Sequence, residues 1–352
     1  MSKCVYVGMS GGVDSSLTAA LLVEQGFDVT GVYMKNWTQD LPGMRCPWAD
    51  DLADAKRVAV QLGIDFKVFD FEQEYRQKVV DYMIDEYKLG RTPNPDIMCN
   101  QEVKFKLFLD AALEDGADLI ATGHYARVES DGNHGVLRLA QDPNKDQTYF
   151  LYRVTGEALG KTLFPLGNYT KPEVRKMAEE RGLFTAGKKD SQGICFVGQI
   201  GIREFLSQYV ETVPGDIIDK QTGKKLGRHD GAIFYTLGQR HGLDVGGGLP
   251  YYVVGKDMDK NEVYVSTNLN DTSIWNTEVS VGHLHWINDA PADGSYSIRI
   301  RHRAQLVLAE LRHSDGYLSL ALNEAQRAVA AGQSVVIYDG DICLGGGIVM
   351  SL

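Results

Sequence analysis

The amino-acid sequence predicts an α/β N-terminal domain with a parallel sheet, a small central domain and a C-terminal antiparallel β-barrel. In the first half, apolar strand-like runs such as "KCVYVGM", "DVTGVYM" and "DFKVFDF" alternate with stretches of helical spacing. Strands separated by helical patterns are typical of a parallel sheet that is covered on both faces. After about residue 200, short strand runs and turn signals dominate, as in a barrel or sandwich. We therefore expect domains at residues 1–200, 201–274 and 275–352.

Individual elements follow from apolar spacing and from glycine stops. Helices are predicted at residues 14–25 and 50–62, each followed by a glycine, at 72–89, and from Asn100 onward. The run "DLIATGHYA" at 118–126 is predicted to be a further strand. Beyond residue 200, "IREFLSQY" indicates a helix and "YYVVGKDMDKNEVYVST" a hairpin with a polar turn. Strand runs then recur from about Ser273: "YSIRIRHRA", "LVLAELR", "YLSLALN" and "SVVIYD".

Composition excludes several classes of protein. The chain has 352 residues, of which 43% are hydrophobic, and no apolar run is long enough to span a bilayer. Its N-terminus does not resemble a signal peptide, so we expect a cytoplasmic protein without a membrane partner. Five cysteines, an odd number at spacings unlike those of a zinc site, predict neither a disulfide framework nor a metal centre. A net charge of −11 argues mildly against nucleic acid, although a local basic face can still bind it.

The stretch "GMSGGVDSS" at residues 8–16 lies between a predicted strand and a predicted helix. In such a loop, glycines allow backbone N–H groups to converge on an anion, and the helix N-terminus adds partial positive charge. Asp14 is placed either to cap the helix or to face a magnesium ion. The loop lacks the lysine of the usual P-loop. A tight turn before a capped helix, without any ligand, remains the alternative.

Two cysteines lie in segments that favour reactivity. In "TPNPDIMCN", at residues 92–100, Asn100 is predicted to cap the next helix, which places Cys99 just outside a helix N-terminus. That position lowers a thiol pKa, and Asp96 is near enough for proton transfer. In "KKDSQGICF", at 188–196, Lys188 and Lys189 are expected to make the surroundings of Cys195 electropositive. The alternatives are a buried small residue for Cys99 and a strand cysteine after a solvated lysine pair for Cys195.

An arginine-rich strand, "SIRIRHRA" at residues 297–304, is the candidate RNA-binding feature. Period-two alternation predicts Arg299, Arg301 and Arg303 on one face of the strand. Three arginines on one face suit a row of RNA phosphates. With 47 acidic residues in the chain, a solvated face that pairs with acidic neighbours is the other interpretation.

Taken in order, "GMSGGVDSS", "NPDIMCNQEVKF", "ATGHYAR", "KDQTYFLY" and "DSQGICF" resemble the tRNA-specific 2-thiouridylases, the bacterial-type tRNA-uridine 2-sulfurtransferases. Within "SGGVDSS" the first motif also resembles the pyrophosphate loop (PP-loop) of the N-type ATP pyrophosphatases, an adenine nucleotide alpha-hydrolase-like fold. The resemblance covers essentially the full length, with weaker support near the C-terminus from "GLPYYVV" and "RIRH". It implies ATP and Mg²⁺ as cofactors, and tRNA and a persulfide sulfur-donor or sulfur-relay protein as partners. The implied reaction adenylates the uracil 2-oxygen of the wobble uridine, then transfers sulfur, and releases AMP and pyrophosphate.

The resemblance also assigns site residues. Cys99 would be the nucleophile, Cys195 the persulfide carrier and Asp96 the acid/base, with a Cys99–Cys195 disulfide forming if hydrosulfide is the attacking species. The implied nucleotide-binding residues are Gly8, Met9, Ser10, Gly11, Gly12, Val13, Asp14, Ser15, Met34 and Gly123. The implied tRNA-binding residues are Asn94, Pro95, Asp96, His124, Lys145, Asp146, Gln147, Arg301, His302 and Gln333. Another adenylating ligase or amidotransferase of the same superfamily, and a non-catalytic nucleotide- or RNA-binding module, are the alternatives.

Overall fold

The N-terminal part of the chain forms a parallel sheet of five strands. The computed structural model describes residues 2–40, 46–189, 201–246, 248, 250–268 and 274–350. The sheet contains β1 (Cys4–Gly8), β2 (Asp28–Lys35), β3 (Asp65–Asp70), β4 (Leu119–Ala121) and, after the hairpin β5 (Arg127–Ser130) and β6 (Gly135–Arg138), β7 (Thr162–Leu163). Its order is β3-β2-β1-β4-β7, and every pairing is parallel. The predicted sheet is confirmed, although the strand predicted over 118–126 contains only three residues.

Helices cover this sheet. They are α1 (Val13–Glu24), α2 (Trp48–Leu62), α3 (Glu72–Tyr75), α4 (Tyr82–Lys88), α5 (Pro95–Met98), α6 (Phe108–Glu114), α7 (Thr148–Leu151), α8 (Gly156–Gly160) and α9 (Lys171–Glu180). A π-helical segment, Arg76–Asp81, joins α3 to α4, and a second, Cys99–Leu107, joins α5 to α6. As predicted, α2 ends at Gly63, whose φ of 66° is left-handed. The helix predicted from Asn100 begins earlier, at Pro95. Within the described residues, no helix has both the length and the apolar character that a bilayer crossing requires.

The central part contains α10 (Ile202–Leu206) and a four-stranded sheet. Its strands are β8 (Gly215–Asp219), β9 (Lys225–His229), β10 (Tyr252–Asp257) and β11 (Glu262–Ser266), in the order β10-β11-β8-β9. The predicted hairpin is β10–β11, which pairs antiparallel with a register shift between Val253 and Gly255.

The C-terminal part is a closed six-stranded antiparallel barrel. Its strands are β12 (Trp275–Trp286), β13 (Gly294–Arg299), β14 (Val307–Ser314), β15 (Tyr317–Arg327), β16 (Ser334–Asp339) and β17 (Ile342–Val349). Pairing of β12 with both β15 and β17 closes the barrel around an apolar interior. The predicted barrel is confirmed. Strand β17 was not predicted from the sequence, because its "LGGG" core weakens the strand pattern.

The barrel is joined to the N-terminal part by backbone pairing and by a buried ion pair. Strand β6 pairs with β17, so that the β5–β6 hairpin extends the barrel sheet. The Arg299 guanidinium lies 2.8 Å from the Asp146 carboxylate, and these residues are 8% and 2% exposed. Thr148 Oγ1 and the Ala140 amide also donate to Asp146, at 2.7 and 2.8 Å. The Asp146 carboxylate is therefore satisfied by three donors inside the protein.

The arrangement of the arginine-rich strand was predicted wrongly. Strand β13 ends at Arg299, and Arg303 has a φ of 62°, so the period-two alternation stops before Arg301. Arg299 points into the protein toward Asp146. The three arginines therefore do not form one exposed row.

Replacement of Arg299 tests how much the buried ion pair contributes to stability. Arg299→Leu leaves the Asp146 carboxylate buried with one donor fewer, which should cost about 3–5 kcal/mol of unfolding free energy. Arg312→Leu, at an exposed position on β14 of the same barrel, is the matched control and should change stability by less than about 1 kcal/mol. Denaturant unfolding, followed by intrinsic fluorescence, measures both variants; equal losses would contradict a special role for the pair.

Candidate active site

The loop between β1 and α1 has the geometry of an anion cradle. Gly11 has a φ of 72°, and Gly12 is the N-cap of α1. The Ser10 amide donates to Ser15 Oγ at 3.1 Å, and the Gly12 carbonyl accepts from Ser16 Oγ at 2.8 Å. Since the first N–H groups of a helix have no intrahelical partner, this end of α1 offers donors and partial positive charge to an anion. Asp14 lies in the first turn, so the prediction that it caps the helix is wrong.

The loop lies where the order of the sheet reverses. Strands β2 and β4 flank β1 on opposite sides, and ligands of open α/β sheets bind at such a switch point. Gly123, just after β4, approaches α1 so closely that a Cβ there would lie 2.9 Å from the Ser15 amide nitrogen. A Cβ on Gly8 would lie 2.9 Å from Met34 Cε. The structure thus brings Gly8, Met34 and Gly123 close to the loop, and their role in nucleotide binding stays a prediction.

Asp14 is held by an ion pair that sequence reasoning missed. Its carboxylate accepts from Lys171 Nζ at 2.7 and 2.8 Å and from the Tyr125 hydroxyl at 2.9 Å. Lys171 is 8% exposed and is the first residue of α9. The pattern "TKPE", in which the Thr170 amide donates to Glu173 at 2.7 Å, could have located this helix start. It could not have shown which loop the lysine reaches.

A second lysine contacts the loop from outside. Lys188 Nζ donates to the Gly11 carbonyl at 3.1 Å and to Asp51 and Asp54 at 2.8 Å. Burial lowers the pKa of Lys188, but hydrogen bonds to the two carboxylates raise it overall above its usual value. Lys188 was expected to make the Cys195 segment electropositive; two carboxylates instead pair its charge. Cys195 itself lies outside the described residues.

The predicted nucleophile lies inside a helix. Asn94 caps this helix, and its Oδ1 accepts from the Asp96 and Ile97 amides at 3.1 and 3.4 Å. Cys99 follows in the second turn and is 1% exposed, so the prediction that it lies just outside a helix N-terminus is wrong. Asn100 is no cap: its side-chain amide is buried and donates to the Phe150 carbonyl at 3.1 Å. Asp96 and Cys99, three residues apart, lie on the same helix face.

Several residues expected to contact tRNA hold the structure together through their side chains. His124 is 8% exposed with Nδ1 2.7 Å from Thr122 Oγ1, and burial, aided by Lys104, holds its pKa well below the usual range. Gln147 Oε1 accepts from the Tyr125 amide at 2.9 Å. Asp146 is buried against Arg299, whereas Lys145 is partly exposed. Of these four residues, Lys145 and Gln147 are partly exposed, whereas His124 and Asp146 are buried.

The barrel residues expected to contact tRNA lie at its junction with the helix of Cys99. Arg301 donates to the carbonyls of Arg327, at 3.0 Å, and Ala328. The His302 ring lies 4.4 Å from that of Phe150, the residue whose carbonyl accepts from Asn100. Gln333 Oε1 accepts from the Ala330 amide at 3.1 Å. This face of the barrel therefore packs close to the candidate catalytic helix.

A parallel sheet with a lysine-free phosphate loop at its switch point defines a nucleotide-binding protein of the PP-loop class. Comparisons with known proteins specify the family. Residues 3–199 match a family model described as tRNA methyl transferase HUP domain, residues 203–267 the tRNA methyl transferase PRC-barrel domain, and residues 276–349 the Aminomethyltransferase beta-barrel domain.

Relatives match over nearly the whole chain. The tRNA-specific 2-thiouridylase MnmA of Exiguobacterium sibiricum is 48% identical over 347 residues, covering 97% of this chain and 92% of that protein. That of Chromobacterium violaceum is 49% identical over 355 residues, covering 99% and 92%. A solved structure, the U34-tRNA thiolase NcsA of Methanococcus maripaludis, is 18% identical with a TM-score of 0.38, covering 59% of this chain and 64% of that one. The chain belongs to the tRNA-specific 2-thiouridylase family.

Replacement of Lys171 tests the ion pair at the loop. Lys171→Met removes a buried positive charge beside the anion cradle, so the affinity for ATP should fall by about tenfold or more, or ~1.4 kcal/mol. Lys176→Met changes an exposed lysine on the same helix, which contacts Glu180, and should leave ATP affinity unchanged. Isothermal titration calorimetry measures both constants; equal affinities in the two variants would exclude Lys171 from the site.

His302 gives a prediction of pH dependence. Burial, aided by Arg303 and Arg299, lowers the pKa of His302 from 6.5 to about 4. Between these two pKa values, His302 binds a proton more readily in the unfolded state than in the folded state. The contribution of His302 to stability is therefore complete above pH 6.5 and is lost as the pH falls toward 4. His302→Gln should therefore show a smaller decrease in Tm than the native protein between pH 7 and 4.5. The exposed His241→Gln serves as control and should behave like the native protein; the same result for His302→Gln would contradict the shift.

Proposed function

We propose that this chain is an ATP-dependent tRNA-uridine 2-sulfurtransferase that thiolates the 2-position of the wobble uridine. The observation that carries the proposal is the identity of 48% across 97% of the chain with a tRNA-specific 2-thiouridylase. The cradle at α1 and the Asp96–Cys99 helix support it, because one suits a nucleotide phosphate and the other presents a carboxylate and a thiol one turn apart. We further propose that the protein acts in the cytoplasm. The domain boundaries at residues 200 and 274 stay a prediction.

The phosphate loop and its neighbours hold ATP in this proposal. The α1 N-terminus, with Gly8 to Ser15, binds the phosphates, while Met34 and Gly123 line the site. Mg²⁺ would neutralise phosphate charge. Among the described residues, no group of three or more His, Cys, Asp or Glu could bind a metal ion, and Asp14 already accepts from Lys171. The nucleotide phosphates and water molecules would therefore supply most of the magnesium ligands, since Mg²⁺ usually keeps several of its waters.

The chemistry needs a better leaving group and a soft nucleophile. A uracil carbonyl is a poor electrophile, and adenylation of its 2-oxygen, which releases pyrophosphate, makes AMP the leaving group. If Cys195 carries a persulfide, the Cys99 thiolate attacks its inner sulfur, forms a Cys99–Cys195 disulfide and releases hydrosulfide, which then displaces AMP at C2. Alternatively the terminal sulfur of the persulfide displaces AMP at C2, and the Cys99 thiolate then attacks the sulfur of Cys195, which breaks the S–S bond to the RNA and releases 2-thiouridine. Both routes leave a Cys99–Cys195 disulfide, and an external reductant restores the two thiols.

Other residues of the candidate site prepare this reaction. Asn94 and Pro95 face the uracil, and Asp96 transfers the proton. The buried Cys99 must become accessible when the RNA is bound, because its sulfur has to reach Cys195. Only the thiolate is nucleophilic, and burial in apolar surroundings disfavours the thiolate. Lys145, Arg301, His302 and Gln333 contribute to tRNA binding, and a separate persulfide donor protein loads Cys195.

The cysteine variants test the proposed function. The protein is incubated with ATP, bulk tRNA and a persulfide donor, and nucleosides and nucleotides are then quantified. Native protein should form 2-thiouridine, AMP and pyrophosphate. Cys99→Ser should lose at least about 99% of 2-thiouridine formation, because a hydroxyl cannot replace the thiolate, yet it should still bind ATP and accept sulfur at Cys195. Cys195→Ser should accept no persulfide.

Cys4→Ser is the matched control, since Cys4 lies on β1 and is only partly buried; it should retain normal turnover. ADP and orthophosphate as primary products would contradict the proposal. So would full activity of Cys99→Ser and Cys195→Ser, which would instead favour an adenylating ligase of the same superfamily. Nucleotide binding without AMP formation would favour a non-catalytic module.

A further inference from the structure

The segment before the candidate catalytic helix is held by both later parts of the chain. Gly90, with a φ of 74°, faces the central hairpin, where a Cβ on it would lie 2.7 Å from Met258 Cγ. Two residues later, the Thr92 amide donates to the Ala331 carbonyl of the barrel at 3.0 Å. A Cβ on Gly332, whose φ is 87°, would lie 2.8 Å from the Thr92 amide nitrogen. The contact between segment and barrel is therefore backbone against backbone.

The barrel's partner in this contact, the turn at residues 327–333, is itself braced on several sides. Arg301 donates to carbonyls at its start, and Gln333 Oε1 accepts from the Ala330 amide within it. The Arg327 guanidinium lies 4.7 Å from the Tyr252 ring of the central part. The turn thus joins the barrel, the central sheet and the segment before α5.

A displacement of Thr92 would displace Asp96 by a similar amount, because the chain between them is short and stiff. Only Pro93, Asn94 and Pro95 separate the two residues, and both prolines have a fixed φ. Asn94 Oδ1 then binds the Asp96 and Ile97 amides, so the direction of the helix start depends on this cap. A displaced turn would displace the cap and the carboxylate together.

We propose that the 327–333 turn positions Asn94 and Asp96 for catalysis, through the contact of Gly332 and Ala331 with Thr92. This inference rests on the proposed function. Gly332 and Thr92 act as positioning residues, because they reach the reaction only through Asp96. Arg301 and Gln333, two residues expected to contact tRNA, brace the same turn. RNA bound there would therefore fix the candidate acid/base in place, so that binding and chemistry are coupled through one turn.

A pair of glycine variants tests this. Gly332→Ala places a methyl group against Thr92, whereas Gly316→Ala, at a φ of 79° in the β14–β15 hairpin, meets no atom within 4 Å. Both variants incur the same left-handed backbone strain, so they differ mainly in the contact. Gly332→Ala should lower kcat for thiolation by between about tenfold and a hundredfold, with KM for tRNA nearly unchanged. Gly316→Ala should keep the native kcat.

Hydrogen–deuterium exchange of residues 92–97 provides a readout that does not depend on activity. Gly332→Ala should exchange the Thr92, Asp96 and Ile97 amides faster than Gly316→Ala does. Ala331→Gly adds no atom and loosens the same turn, so it should also lower kcat and speed the exchange of these amides. It provides a second test in case Gly332→Ala fails to fold. Native exchange in both turn variants, or a kcat equal to that of Gly316→Ala, would overturn the positioning role. If Gly332→Ala speeds exchange but the native protein forms no 2-thiouridine, the contact between the turn and Thr92 is supported and only the proposed function is rejected.

Discussion

The geometry of the candidate active site depends on the ion pair between Asp14 and the buried Lys171. Asp14 lies in the first turn of α1, where the helix dipole favours a negative charge, but Lys171 begins α9, where the dipole disfavours a positive one. The lysine is stable there because the carboxylate compensates its charge, and loss of Asp14 would leave the buried Lys171 uncompensated. Tyr125, from the loop after β4, donates to the same carboxylate. One ion pair therefore fixes the phosphate loop against two neighbouring segments.

The barrel is a structural part of the N-terminal site and not a separate RNA-binding attachment. The Tyr149 hydroxyl, just after the expected tRNA-binding segment, donates to the Ile300 and Ser334 carbonyls at 3.1 Å. Arg153 links Gln101, on the helix of Cys99, to the His283 carbonyl of β12. The barrel consequently packs against the segment that follows Gln147 and against the helix that contains Cys99.

The Cys99 thiol is buried, so the proposed reaction can begin only after the thiol becomes accessible. At 1% exposure, Cys99 is shielded from solvent oxidants and from stray electrophiles. Its helix is anchored by Asn94 at one end and by the contact of Asn100 with Phe150 beside it. In the proposed reaction, a nucleophile held in this way would gain specificity because its access would depend on the correct RNA.

The sequence by itself determined the parallel sheet, the central hairpin, the barrel and the position of the phosphate loop, because these depend on local apolar spacing and on glycine placement. Only the tertiary structure decided where the helix of Cys99 begins, since Asn94 and Asn100 are equally good caps by residue type. It also decided that Arg299 is buried and that Lys171 reaches Asp14, which lies 157 residues earlier in the chain. Contacts between distant residues leave no periodic signal, so charge partners and buried polar groups become visible only after the chain has folded.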